Sequence, residues 1–357
     1  MATSADPCAA AAGIKHHPQR TPHRGPEVVV ESTILFPFAE VWWLYAAFTG
    51  FILALLALDL GVFHRKCHVV SVKEAGIWTA IWISMSALVN LAFWGWARHD
   101  LASRGLDPAL GDQAALEFLA GYVIEKALAV DNIFVIAMIF GALSIPPQYR
   151  HRVLFYGIIG ALIFRALFIS VGSALMQYQW VTLIAGAFLI ITGIKMLVIR
   201  TGEFDPVNNP VLRVLRRIMP ISPTLDGQRF TTRVNGVLMA TPLLVALLLV
   251  ETTDIIFAID SVPAIFALTK EPLIVFLSNI LAILGLRSMY FLLEGAMERF
   301  TLLKYSLALI LVFVGLKMAW LNDLMGGKFP ILWSLGIIAA LLAPGFLAPL
   351  FKRRKKS

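Results

Sequence analysis

Charge is scarce in this chain. Asp, Glu, Lys and Arg make up 15% of its 357 residues, against 59% hydrophobic ones. Soluble domains carry about 25% charge, so this composition, with a mean hydropathy of +0.80, points to a polytopic membrane protein. Cysteine is almost absent. Cys8 and Cys67 are remote in sequence and give no disulfide framework. Histidine is absent from the apolar runs: the seven, at 16, 17, 23, 64, 68, 99 and 151, all lie outside them. Bilayer depth therefore lacks the imidazole and thiolate ligands of zinc and copper(I) sites. The first 33 residues have no long apolar run and so no signal-peptide h-region. Rich in Pro, Ala and His, residues 1–33 read as a disordered tail. The net charge of +8 is not a nucleic-acid signal. Much of it falls in loops and the tail, where it reports orientation.

What is present is a series of apolar runs. They predict an all-α polytopic membrane helix bundle over residues 34–351 with about nine transmembrane helices: 40–62, 75–96, 115–143, 153–176, 181–199, 237–268, 272–293, 303–321 and 329–350. The longest loop, 200–236, carries six arginines, and the tail, 352–357, carries five basic residues. The loops after the first and third spans are basic too. With nine spans all four lie on one side, which places the C-terminus in the cytoplasm and the N-terminus outside the inner membrane. Within the loop, Val211, Leu212, Val214, Leu215 and Ile218 alternate with Arg213, Arg216 and Arg217. This is the pattern of a short basic amphipathic helix on the membrane surface.

Two parts of the chain match each other. Glu125-x-x-Leu128-Ala129-Val130-Asp131-Asn132 aligns with Asp254-x-x-Phe257-Ala258-Ile259-Asp260-Ser261. A buried arginine follows each one span later, Arg165 and Arg287. Gly-x-Lys-Met follows in turn, with Lys195 and Lys317 each 30 residues beyond its arginine. Each repeat, 115–199 and 237–321, holds three spans. An odd number inverts the second copy relative to the first, the architecture of secondary transporters with a site at the repeat interface. Lys195 and Lys317 are expected near opposite membrane faces, each snorkelling to water.

A charge at the bilayer centre costs about 2.5–3.5 kcal/mol on insertion scales, so several acids in two spans imply a shared polar site. The expected ligand set is Glu125, Asp131, Glu251, Asp254 and Asp260, with Asn132 and Ser261 as neutral oxygen donors. Arg165, Arg287 and Lys126 are the counter-charges. Hard oxygen ligands suit Mn2+, Ca2+ or Mg2+. An oxyanion such as tellurite would be repelled. Asp254 and Asp260 lie about 240° apart around an ideal helix, so convergence on one ion requires the helix to unwind near Ile259–Val262, where Pro263 removes a donor.

The two motifs, E-K-A-L-A-V-D-N at 125–132 and E-T-T-D-I-I-F-A-I-D-S-V-P-A at 251–264, closely resemble those of the TerC/Alx family of bacterial membrane proteins. The resemblance spans roughly residues 40 to 350. It implies a multi-pass protein similar to manganese exporters, with Glu125, Asp131, Glu251, Asp254 and Asp260 as the metal site, and it carries the family's association with tellurium resistance. The expected activity is export of a divalent cation, first Mn2+, with protons as exchange ions and no permanently bound cofactor. The expected partners are the cation, protons and the lipid bilayer. A membrane assembly factor that docks the secretion machinery on its basic loop is the alternative, as is tellurite resistance without direct anion transport. An intramembrane aspartyl protease is disfavoured, because Asp260 follows Phe-Ala-Ile rather than the G-x-G of that class.

Overall fold

A computed structural model of the chain describes residues 34–63, 70–198, 210–294, 302–326 and 328–354. The expected tail 1–33 and the His64–His68 loop lie outside the described residues. From Phe36 onward the chain forms one compact unit. The helices are α1 (Phe38–Phe63), α2 (Val72–Ser103), α3 (Ala109–Ala142), α4 (Pro147–Leu175), α5 (Gln179–Val198) and α6 (Pro210–Ile218), then α7 (Pro242–Phe266), α8 (Pro272–Leu284), α9 (Leu286–Glu294), α10 (Leu303–Leu316), α11 (Asn322–Leu324) and α12 (Ile331–Arg354). A hairpin of β1 (Thr231–Val234) and β2 (Val237–Ala240) precedes α7.

The helix starts are set locally. Ser71 caps α2 by accepting the Glu74 N–H at 3.2 Å. Pro147, Pro242 and Pro272 begin α4, α7 and α8, where a missing N–H loses no intrahelical bond.

Among the described residues, seven helices are long and apolar enough to cross a membrane, and α8 with α9 makes an eighth, bent by 41°. This is fewer than the nine expected. The third expected span, α3, is 34 residues long, but Asp112, Glu117, Glu125, Lys126 and Asp131 exclude it by composition. Its charges are tolerable because α3 lies inside the bundle, packed against α2, α7, α8, α9 and α12.

α5 packs on α10, α4 on α7 and α3 on α8; smaller contacts join α3 with α7 and α4 with α8. Gly186 of α5 meets the Gly315 carbonyl of α10, and Gly193 meets the Ala308 carbonyl. Numbers rise along one helix as they fall along the other, so α5 and α10 run antiparallel. At either glycine a Cβ would press into the opposing backbone.

Four expectations need correction. The sixth span begins at Pro242 rather than Val237, because Asn235 and Gly236, both at positive φ, make the two-residue turn of a hairpin. α7 runs unbroken past Pro263; the proline sits in the last turns and deprives only the Ile259 carbonyl. The break falls instead at Gly285, between α8 and α9. And Lys317 does not snorkel. It is 2% exposed and opens a π-helical turn, Lys317–Leu321, whereas Lys195 is exposed as expected.

Candidate functional site

The centre of the bundle is built around Arg165, 1% exposed on α4. Its Nη1 donates to Glu125 of α3 in a buried ion pair, to Ser261 Oγ of α7 at 3.1 Å and to Asn279 Oδ1 of α8 at 3.1 Å. Its Nη2 reaches Asp254 Oδ1 at 3.4 Å. Asn132 of α3 donates to the same Asp254 oxygen at 3.4 Å, and the Asn279 amide to Glu125 Oε2 at 3.4 Å. One guanidinium thus joins four helices. Buried charges persist only when paired and hydrogen-bonded, and this pairing is uneven: two carboxyl groups, Glu125 and Asp254, face one guanidinium.

Glu251 adds a third carboxylate, one helical turn before Asp254 on the same face of α7. It packs against Gly160 of α4, where any Cβ would overlap the carboxylate. Glu251 Oε2 and Asp254 Oδ2 are both buried and find no hydrogen-bond partner among the described residues. Beside Asp254 lies a small cavity lined by Asn132, Thr253, Gly157, Ala161 and Phe257, with about 10 Å³ for the centre of a water-sized particle. That is roughly the room one water needs.

The remaining acids lie elsewhere. Asp260 turns toward α5, where Thr192 Oγ1 donates to it at 3.5 Å and Lys195 is within electrostatic reach. Asp131 lies within electrostatic reach of Asp260 and of Lys304. The five acids therefore form two groups, Glu125, Glu251 and Asp254 toward α4 and Asp131 and Asp260 toward α5 and α10, consistent with an unbroken α7. Among the described residues no three of His, Cys, Asp and Glu are gathered closely enough to hold a metal ion alone. Of the expected counter-charges, Arg165 is central, and Arg287 sits half-buried on α9, beyond the bend. Lys126 donates to the Ala282 carbonyl at 3.0 Å, capping the C-terminus of α8 as a cation should.

Sequence reasoning missed two features. Asn279 joins the central network; the signal available was an amide inside the apolar run 272–284. Glu117, 3% exposed, accepts from Gln113 and Lys328, both at 2.9 Å, near buried Lys317. Lys328 stood in a connection outside the expected spans, so sequence distance hid that pair.

A helical bundle with seven or eight membrane-competent helices and an interior ion-pair network defines an integral, multi-pass membrane protein with an intramembrane charged site. The chain belongs to the TerC family: residues 110–357 match the family described as "Integral membrane protein TerC family". The "Uncharacterized membrane protein STKORF319" of Myxococcus xanthus is 49% identical over 320 residues, covering 89% of this chain and 95% of that one. The "Putative membrane-bound redox modulator Alx" of Escherichia coli K12 is 44% identical over 306 residues, 85% of this chain and 93% of that one. An "Uncharacterized membrane protein" of Rickettsia felis is 39% identical over 303 residues, 85% and 95%. No solved structure matches the chain.

Proposed function

We propose that this protein is a secondary transporter that exports a divalent cation, Mn2+ first and Ca2+ or Mg2+ as competitors, across the inner membrane. The carrying observation is the pair of buried carboxylate oxygens without partners, Asp254 Oδ2 and Glu251 Oε2, on one face of α7. At that depth an unpaired carboxylate calls for a proton or a cation, and the cavity lined by Asp254 has room for one small particle. The ligand set narrows to Glu251 and Asp254, with Asn132 and Thr253 as neutral oxygens and water completing the shell. Such a set suits a hard cation that must also leave.

Arg165 acts as the internal counter-cation. It holds Glu125 and one oxygen of Asp254 and leaves the other oxygen for the substrate. A bound ion weakens the Arg165–Asp254 contact, which is already long at 3.4 Å, and Arg165 remains anchored by Glu125, Ser261 and Asn279. Proton exchange through Glu251 and Asp254 is the coupling, and Asp131 and Asp260 are a second acidic station on the α5 side. The role is transport, with no catalytic residues and no resident cofactor. The antiparallel pairing of α5 with α10 supports the inverted repeat that alternating access uses. The basic loop and tail support a cytoplasmic C-terminus.

The test is Mn2+ flux by the purified protein in liposomes. Asp254→Asn should reduce flux at least tenfold, and Glu251→Gln several-fold. Wild-type flux in both variants would end this reading. Flux indifferent to an imposed pH gradient would end the proton coupling alone.

A further inference from the structure

We propose that the segment 210–240, comprising α6 and the β hairpin, is a docking platform for anionic phospholipid headgroups. At about 100° per residue, α6 divides into three stripes rather than two. Leu212 and Leu215 are buried in the main apolar core, with Val211 and Met219 partly buried beside them. Arg213, Arg216 and Arg217 form an exposed basic stripe on one flank. Val214, 55% exposed, and Ile218, 76% exposed, form an apolar stripe on the other. A helix that faces only water has no use for the third stripe. A helix at the bilayer interface does, with the valine and isoleucine toward acyl chains and the arginines toward phosphates.

The hairpin repeats this composition. Val234, Val237 and Leu238 are exposed around the Asn235–Gly236 turn, beside exposed Arg233. The height is right as well. α6 packs on α7, and β2 ends two residues before α7 begins at Pro242, so both elements lie where a span enters the membrane. Ala240 bonds to Pro220 and Ser222, each within 2.9 Å, and holds the segment together; Phe230 fixes it to α4 of the central network, meeting Tyr156 edge to face and lying under Arg152. The surface is apolar and predominantly cationic, with five arginines against the single acid Asp226, which pairs with Arg229, and its complement is a surface of fixed negative charge over hydrocarbon. That describes an anionic lipid leaflet. The inference does not depend on what the protein transports.

The full-length protein in detergent is titrated with phosphatidylglycerol, and in parallel with phosphatidylcholine and inorganic phosphate, reading bound lipid by native mass spectrometry. Each arginine near such a surface contributes a factor of about five. Arg213→Gln/Arg216→Gln/Arg217→Gln should therefore bind phosphatidylglycerol on the order of a hundredfold more weakly, with an unchanged melting temperature without lipid. Should that variant not fold, Arg217→Gln alone should lose about fivefold, and raised salt should weaken wild-type binding. Three outcomes would overturn the proposal: phosphatidylcholine or inorganic phosphate matching phosphatidylglycerol, variants binding as wild type does, or Val214→Ser/Ile218→Ser converting a dimer to a monomer without changing lipid binding.

Discussion

The two halves of the bundle, α3 to α5 and α7 to α10, carry the same motif and build different structures from it. In the first half the second helix, α4, runs unbroken for 29 residues and delivers Arg165 to the centre. In the second half it stops at Gly285 and restarts as α9, and Arg287, two residues on, lies past the bend. Two substitutions between equivalent positions account for this. Where the second half has Gly285, the repeat alignment puts Ile163 in the first. Where the first half has Lys126, it puts Ile255 in the second. Lys126 donates to the Ala282 carbonyl beside the break, and Gly285 has no Cβ to exclude the ammonium. Neither condition is met in α4. One half thus supplies the buried cation and the other most of the acids that surround it.

The largest expected effect tests that one-sidedness. Arg165→Ala removes the guanidinium from Glu125, Asp254, Ser261 and Asn279 at once and leaves buried carboxylates unpaired. Breaking a buried pair this way costs about 3–5 kcal/mol. Arg287→Ala, at a half-buried position, should cost about 1 kcal/mol, the centre of the distribution for point mutants. Unfolding in detergent, followed by circular dichroism, reads both. Equal losses would mean that the two halves share the central load, and the contrast would collapse.

A smaller effect addresses the break itself. Gly285→Ile puts a branched side chain where Lys126 Nζ and Trp82 stand, and overpacking of this kind costs about 1–3 kcal/mol. Lys126→Ile removes the cap and should cost about 1 kcal/mol. The double variant recreates the isoleucine pair at the equivalent positions, Ile163 of the first half and Ile255 of the second. Contacting residues couple by about 0.5–3 kcal/mol, so the double should lose clearly less than the sum. Strict additivity in a double-mutant cycle would show that lysine and glycine do not form one device.

Much of this was legible in the sequence because hydrophobic length and intramembrane charge are strong signals in a membrane chain. The helical spans overlapped their expected ranges with ends displaced by up to seven residues, and the acids, Arg165 and the repeated motif were visible as charge inside apolar runs. What was hidden is where a helix breaks. Pro263 is the stronger breaker on paper, yet it lies near the end of α7, where little hydrogen bonding remains to be lost. Gly285 gave no signal of its own, since its effect depends on Lys126, about 160 residues away in sequence. The hairpin was hidden differently. Val237 to Ala240 is apolar and continuous with the span that follows, so only the Asn235–Gly236 turn and Pro242 divide them. The single five-acid site failed to form for a geometric reason: without unwinding, Asp254 and Asp260 face different neighbours.

The smallest expected effect concerns the two matched lysines. Lys195 is exposed, so Lys195→Met should change stability by no more than about 0.5 kcal/mol. Lys317 is buried in a π-helical turn, 6.0 Å from the Phe329 ring, with Glu117 and Lys328 near it. A buried cation–π contact contributes on the order of 1 kcal/mol, and attraction to Glu117 adds to it. Repulsion from Lys328 subtracts, and methionine retains most of the packed stem. The balance should leave Lys317→Met destabilised by about 1 kcal/mol. Lys328→Met separates the terms, since it frees Glu117 to pair with Lys317 alone. The loss from Lys317→Met should then grow in the Lys328→Met background. If it shrinks instead, Lys317 is held by packing rather than by charge, and the contrast between the two lysines reduces to one of depth.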